Sequence, residues 1–121
     1  KNHNDAHMLI DYATELNQNN EIDLALIQIK KARNILDSNS TVNYVESIYW
    51  RTISLIQLNL ENNSAALEAA NSCYKYAKEG GRLDAHLFSI TNYLHVAYET
   101  QSTNENFIKT IIVLNSRRIR G

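Results

Sequence analysis

The chain alternates between stretches of periodic apolar residues and short polar clusters. The clusters fall at 17–21, 37–41, 61–64 and 101–104, with a further break at Gly80-Gly81. Asn, Asp, Ser, Thr and Gly dominate them, and these residues favour turns over regular backbone. The breaks leave six segments of about 15–20 residues, a helix length and not a strand length. Within each segment the apolar residues recur at helical spacing. The first has Leu9, Tyr12, Ala13 and Leu16, and the second Ile22, Ala25, Ile29, Ala32 and Leu36. The third has Val45, Tyr49, Ile53, Ile56 and Leu60, and the fourth Ala66, Ala69, Ala70, Cys73, Tyr74 and Ala77. The fifth has Leu83, Leu87, Ile90, Leu94, Ala97 and Tyr98, and the sixth Phe107, Ile111 and Leu114. One-sided patterns near period 3.6 predict six amphipathic helices and an all-α fold.

The boundaries carry capping chemistry. Ser102 with Glu105 matches a capping box, and Asn43 with Glu46 is a weaker version of it. Gly80 or Gly81 is predicted to end the fourth helix in the left-handed conformation, with Lys75 and Lys78 close before it complementing the helix dipole. Ile48, Leu55 and Leu58 widen the apolar face of the third helix. Such breadth is expected of a helix with neighbours on both sides.

Composition narrows the function. With 121 residues the chain is the size of one domain. Twelve Lys+Arg against thirteen Asp+Glu leave a net charge of −1, which gives no electrostatic case for nucleic acid or an anionic membrane. The longest aliphatic run, at 111–114, is far short of the ~20 residues of a membrane-spanning helix. Cys73 is the single cysteine, so no internal disulfide forms, and a reducing, cytoplasmic setting is expected. The start at Lys1, without Met or a signal-like segment, suggests a piece of a longer protein.

Compared with itself, the sequence shows a period of 41 residues. Leu9, Trp50 and Thr91 align, as do Tyr12, Ile53 and Leu94, then Ala13, Ser54 and His95, and Leu16, Gln57 and Tyr98. Ala25, Ala66 and Phe107 form another set, followed by Ile29, Ala70 and Ile111, and by Ala32, Cys73 and Leu114. Repeats of this kind bury a core by stacking, because one unit alone cannot close its apolar face. These positions resemble the tetratricopeptide repeat. Trp50 stands in the Trp slot, Leu94 and Tyr98 in the Leu and Tyr slots, Ala25 and Ala66 in the later Ala slot, and Ala32 in the small position beyond. Small residues there let the two helices of a pair approach closely. The Gly slot instead holds Ala13, Ser54 and His95, and the Pro slot Asp37, Lys78 and Ile119. HEAT and armadillo repeats are of similar length, but the Ala spacing and the absence of proline favour the tetratricopeptide pattern.

The resemblance implies one domain over 1–121, with repeats at 5–37, 43–78 and 82–119, forming an α-α superhelix of three antiparallel helix pairs. It implies a right-handed winding whose first helices line a concave side that grips a protein or peptide. The corresponding positions are Thr14 and Gln18, then Arg51, Leu55 and Asn59, then Asn92, Val96 and Glu99. The Lys/Asn/Arg clamp of co-chaperone members is not present, since its slots hold Ile10, Thr14, Leu55, Asn92 and Val96. Bacterial signalling and transcription-regulating proteins, including peptide-pheromone receptors, carry such repeats beside an output domain.

Catalytic chemistry finds little support. His3, His7 and Asp11 share a helical spacing that could hold a metal, but a solvated terminus is the simpler reading. His86 and His95 have no nucleophile motif beside them, and the repeat alignment places His95 against its paired helix as a core histidine. Cys73 is expected to be buried and unreactive. Arg117, Arg118 and Arg120 form a basic tail without interleaved aromatics, which fits a helix C-terminus better than a nucleic-acid site. No phosphate loop, nucleophile elbow or cofactor motif appears. A non-catalytic binding module without a cofactor is therefore expected, with a helical enzyme fragment as a remote alternative. Ile108, Ile112 and Val113 lie outside the stripe of the sixth helix. They point either to a following helix or to a homodimer through the last helix.

Overall fold

The computed structural model describes residues 1–100 together with residue 112. Among the described residues the fold is all-α, with five helices and no strand: α1 (His3–Gln18), α2 (Ile22–Asp37), α3 (Asn43–Asn59), α4 (Asn63–Gly80) and α5 (Leu83–Glu99). The predicted sixth helix, with the Ser102–Glu105 capping box and the basic tail, lies outside the described residues.

The helices pack as repeating pairs. α1 packs on α2 and α3 on α4, while α3 also touches α1, α2 and α5, and α4 touches α5. No described helix reaches past its neighbouring pair. Cross-contacts give the directions. Tyr44 meets His7 near the starts of α3 and α1, and Asn59 meets Asn17 near their ends, so these two helices run parallel. Arg33, late in α2, meets Glu46, early in α3, so this pair is antiparallel.

The two complete pairs share one turn, 41 residues apart. Asn20 N–H donates to the Asn17 carbonyl and Glu21 N–H to the Leu16 carbonyl. Glu61 N–H donates to Leu58 and Asn62 N–H to Gln57 in the same way. This is the Schellman pattern, which needs a left-handed residue just past the helix end. Asn20 (φ 62°) and Glu61 (φ 60°) supply it. Asn tolerates that conformation, whereas Glu carries a steric penalty of about 1–2 kcal/mol. The turn after α4 uses Gly81 at φ 76°, as the sequence predicts.

Small residues set the spacing within a pair. Ala13, Ala25, Ala32, Ser54, Ala66, Ala70 and Cys73 have no exposed surface. The second-helix positions Ala25/Ala66, Ile29/Ala70, Ala32/Cys73 and Leu36/Ala77 are all buried and hold the 41-residue period. A methyl group added at Gly80 would stand 3.1 Å from Asn43 Cβ, so the end of α4 passes close to the start of α3.

Two details differ from the sequence reading. Asn43 does not cap α3. The helix starts there after Val42, and Glu46 turns instead to Arg33, accepting from Nη1 and Nη2 at 2.9 and 2.7 Å. The capping box appears at α1, where Asn2 Oδ1 accepts from the N–H groups of Asn4 and Asp5, and Asp5 accepts from Asn2 N–H. Tyr12, Leu60, Leu83 and Tyr98, placed in apolar stripes by the periodicity, are exposed.

Replacing Glu61 by Gly removes the Cβ penalty at the left-handed position and is expected to stabilise the chain by about 1 kcal/mol. Asn20→Gly is expected to change stability much less. Thermal and urea denaturation followed by circular dichroism measure both, and equal effects would contradict the strain at Glu61.

Candidate functional site

The first helices α1, α3 and α5 lie side by side and present one composite surface. Its register is set by where each helix starts: His3, Asn43 and Leu83, forty residues apart each time. The in-pair turn nevertheless falls 41 residues on, because α3 has 17 residues and α1 has 16. The spacing that governs α5 is therefore 40, and the 41-residue alignment misplaces this helix by one position.

Two polar bridges mark the register. Thr14 Oγ1 lies 2.8 Å from Thr52 Oγ1 across α1 and α3. Forty residues further along, Asn92 Nδ2 donates to Ser54 Oγ at 3.2 Å across α3 and α5. Thr52, Ser54 and Asn92 are buried, and each bridge satisfies groups that would be costly to leave unpaired.

This register corrects three sequence expectations. Asn92 is buried against Ser54, and Val96 is fully buried in the cluster with Ala66, Ala70 and Tyr93, so neither faces a ligand surface. His95 is exposed, not packed in the core; the buried histidine of α5 is His86, edge-on to Tyr74 at 5.5 Å. One residue is a rotation of about 100° on a helix, enough to exchange a buried for an exposed position. The exposed α5 residues equivalent to Arg51, Leu55 and Asn59 are Thr91, His95 and Glu99.

The remaining predicted residues share the surface. Thr14 is partly buried by its bridge, and Gln18 is exposed. Leu55 is half-buried, and Asn59 is exposed while its Nδ2 donates to Asn17 Oδ1 at 2.8 Å. Glu99 is exposed and, with Leu58, Asn59, Glu61, Asn63 and His95, lines a polar cleft of about 630 Å³ at the C-terminal ends of α3 and α5.

Toward the other end of these helices the surface is aromatic and cationic. The Arg51 guanidinium sits 4.5 Å over the Phe88 ring. Tyr44 packs edge-on to Phe88 at 6.4 Å and to His7 at 6.1 Å, and Arg82 lies 3.8 Å over the Tyr44 ring. Arg82 is also held by Asp84 through two bonds of 3.1 and 2.7 Å. Arg51 is half-buried and has no carboxylate partner among the described residues. Sequence reasoning missed Tyr44 and Phe88 because neither lies on the apolar stripe of its helix.

Other candidates take structural roles. His3 Nε2 bonds the Ser40 carbonyl at 2.7 Å, and His7 stands 3.6 Å from Asp11. Among the described residues no three His, Cys, Asp or Glu side chains form a metal-binding group. No described helix is long and apolar enough to cross a membrane. Ile112 is exposed, while Ile108 and Val113 lie outside the described residues. No family model, curated protein or solved structure matches the chain.

Cys73 is fully buried, and desolvation pushes its thiol up to about 12. Burial also raises the phenols of Tyr49 and Tyr93 above the ordinary tyrosine value. A raised acid pKa means that the folded state keeps its proton longer, so stability is full below the unfolded value and falls as pH rises past it. The stability is therefore expected to decline above about pH 9, where an exposed thiol ionises. Native Cys73 is expected to resist alkylation by iodoacetamide at pH 8 and to react once the chain is unfolded. Mass spectrometry reads the difference, and rapid native labelling would contradict the burial.

Proposed function

We propose that the chain is a non-catalytic protein- or peptide-binding module of tetratricopeptide type, acting as a sensing or interaction segment of a larger regulatory protein. In this reading the helix pairs wind as a right-handed superhelix, and the exposed residues of α1, α3 and α5 line its concave side. A partner segment lies across Thr14, Gln18, Arg51, Leu55, Asn59, Thr91, His95 and Glu99.

The observation that supports this most directly is Arg51. Its guanidinium is braced on Phe88 at 4.5 Å but is not neutralised by any carboxylate among the described residues. A stacked guanidinium keeps its planar N–H edge directed outward and loses little conformational freedom when it meets a carbonyl or carboxylate. Beside it, half-buried Leu55 offers apolar contact, and Asn59 and Glu99 offer hydrogen-bonding groups at the far end. A mixed surface of this kind suits an extended peptide better than a small metabolite, since its groups are spread over three helices.

The test is selection of a random peptide display library on the full chain, followed by fluorescence anisotropy of the enriched peptides. Arg51→Glu is expected to weaken their binding at least about tenfold, the scale of one charge-assisted hydrogen bond, with the helical circular dichroism unchanged. Enriched peptides that bind the variant equally well, or a library that yields none, would contradict the reading.

A further inference from the structure

On the peptide-binding reading above, on which this rests, we infer that the bound segment carries a lysine or arginine side chain, and that this side chain enters the polar cleft at the ends of α3 and α5. Charge is divided unevenly between the two layers of helices. The first helices hold six acids, Asp5, Asp11, Glu15, Glu46, Asp84 and Glu99, against one arginine, Arg51, and no lysine. The second helices α2 and α4 hold Lys30, Lys31, Arg33, Lys75 and Lys78 against four acids. Three of the six first-helix acids are committed: Asp5 accepts from Asn2 N–H, Glu46 is buried against Arg33, and Asp84 holds Arg82. The other three lie on the open face. Asp11 and Glu15 stand forty residues before Arg51 and Leu55, in the same rows of the register, and Glu99 stands forty after Asn59. Glu61, in the turn after α3, adds a fourth, and all four are exposed. Asp11 reaches only His7, at 3.6 Å, while Glu15, Glu61 and Glu99 make no ion pair among the described residues. Four carboxylates therefore share this face with one unneutralised guanidinium. Such a face attracts a cationic partner, steers its approach and disfavours an acidic one.

The cleft supplies a shape that fits this charge. Two of the four carboxylates, Glu61 and Glu99, line its 630 Å³ together with Leu58, Asn59, Asn63 and His95. Half-buried Leu58 offers a wall for the methylene stem of a long basic side chain, and the two glutamates accept from its charged head. Asn59 Nδ2 is spent on Asn17 Oδ1, which leaves the Asn59 carbonyl oxygen as a further acceptor. An acidic side chain in the cleft would meet two like charges, and an apolar one would leave both carboxylates unpaired. At the other end of the contact Arg51 can only donate, so it takes a carbonyl or carboxylate of the same segment. Asn59 lies eight residues beyond Arg51 in α3, which is about 12 Å along the helix and the reach of about four extended residues. The bound segment thus has its base about four residues from the acceptor held by Arg51.

Peptides enriched from a random display library on the full chain, resynthesised with a fluorophore, are the probes, and anisotropy reads their Kd. Lysine or arginine is expected to recur at one position in them, and their affinity to fall as salt rises. Glu61→Gln with Glu99→Gln is expected to raise Kd at least about tenfold, and so is replacing the recurring base of the peptide by Gln. The two changes together are expected to cost no more than either alone, because they remove the same contact. Both protein substitutions fall at exposed positions, so the helical circular dichroism is expected to stay unchanged. Glu68→Gln, at an exposed position of α4, is expected to leave Kd within about twofold. Enriched peptides that lack a recurring base, or whose binding ignores Glu61→Gln with Glu99→Gln, would overturn the inference, and a loss on Arg51→Glu would show that the binding surface itself still stands. Equal losses on Glu68→Gln would also overturn it, since attraction to total charge would then account for the binding. Peptides that respond to the cleft substitutions but ignore Arg51→Glu would support the basic side chain and contradict the role given to Arg51.

Discussion

Close approach of two helices through small side chains is the constraint on which the rest of this structure depends. Where Ala25, Ala32, Ala66, Ala70 and Cys73 fill the second helices, no side chain holds the axes apart. Each pair closes tightly, and in the first pair bulkier residues, Ile10, Leu16, Ile29 and Leu36, complete the buried interior around the alanines. Further burial comes from stacking between pairs, in which α3 meets α1, α2 and α5, and α4 meets α5. Its apolar face is accordingly wide, with Ile48, Tyr49 and Ile56 all buried.

Polar contacts then fix how the pairs register. Arg33 spans from α2 to Glu46 of α3, keeps Asp37 at 2.9 Å, and lies 4.7 Å over the Tyr49 ring. The Glu46 carboxylate, its strongest partner, holds the guanidinium pKa above its ordinary value. Glu46 is almost completely buried, so this arrangement contributes more to the uniqueness of the stacking than to net stability. The Thr14–Thr52 and Ser54–Asn92 bridges act the same way between first helices. A slip of one residue along either helix would strand these groups without partners.

Much of this was legible in the sequence. The spacing of Ala25, Ala32, Ala66 and Cys73 disclosed the second helices and their period, and the polar clusters disclosed the turns. The register of α5 was not legible. It depends on the link between pairs, which is five residues long after α2 and two after α4, and on α4 being two residues longer than α2. Leu94 and Tyr98 matched family positions by type, and that match drew the alignment one residue away from the buried face. Asn92 looks like a surface residue by composition and becomes a core residue only because Ser54 is there to meet it. Tyr12 fits an apolar stripe by spacing, yet it points to the open side of α1, where periodicity alone cannot distinguish an internal neighbour from an external one.

Alanine-sized side chains in the second helices set the distance at which each pair closes. Ala66→Leu, compared with Ala65→Leu at the half-exposed position beside it, tests this most directly by urea denaturation. Ala66→Leu is expected to cost about 1–3 kcal/mol through overpacking, and Ala65→Leu far less. Equal and small effects at both positions would contradict it.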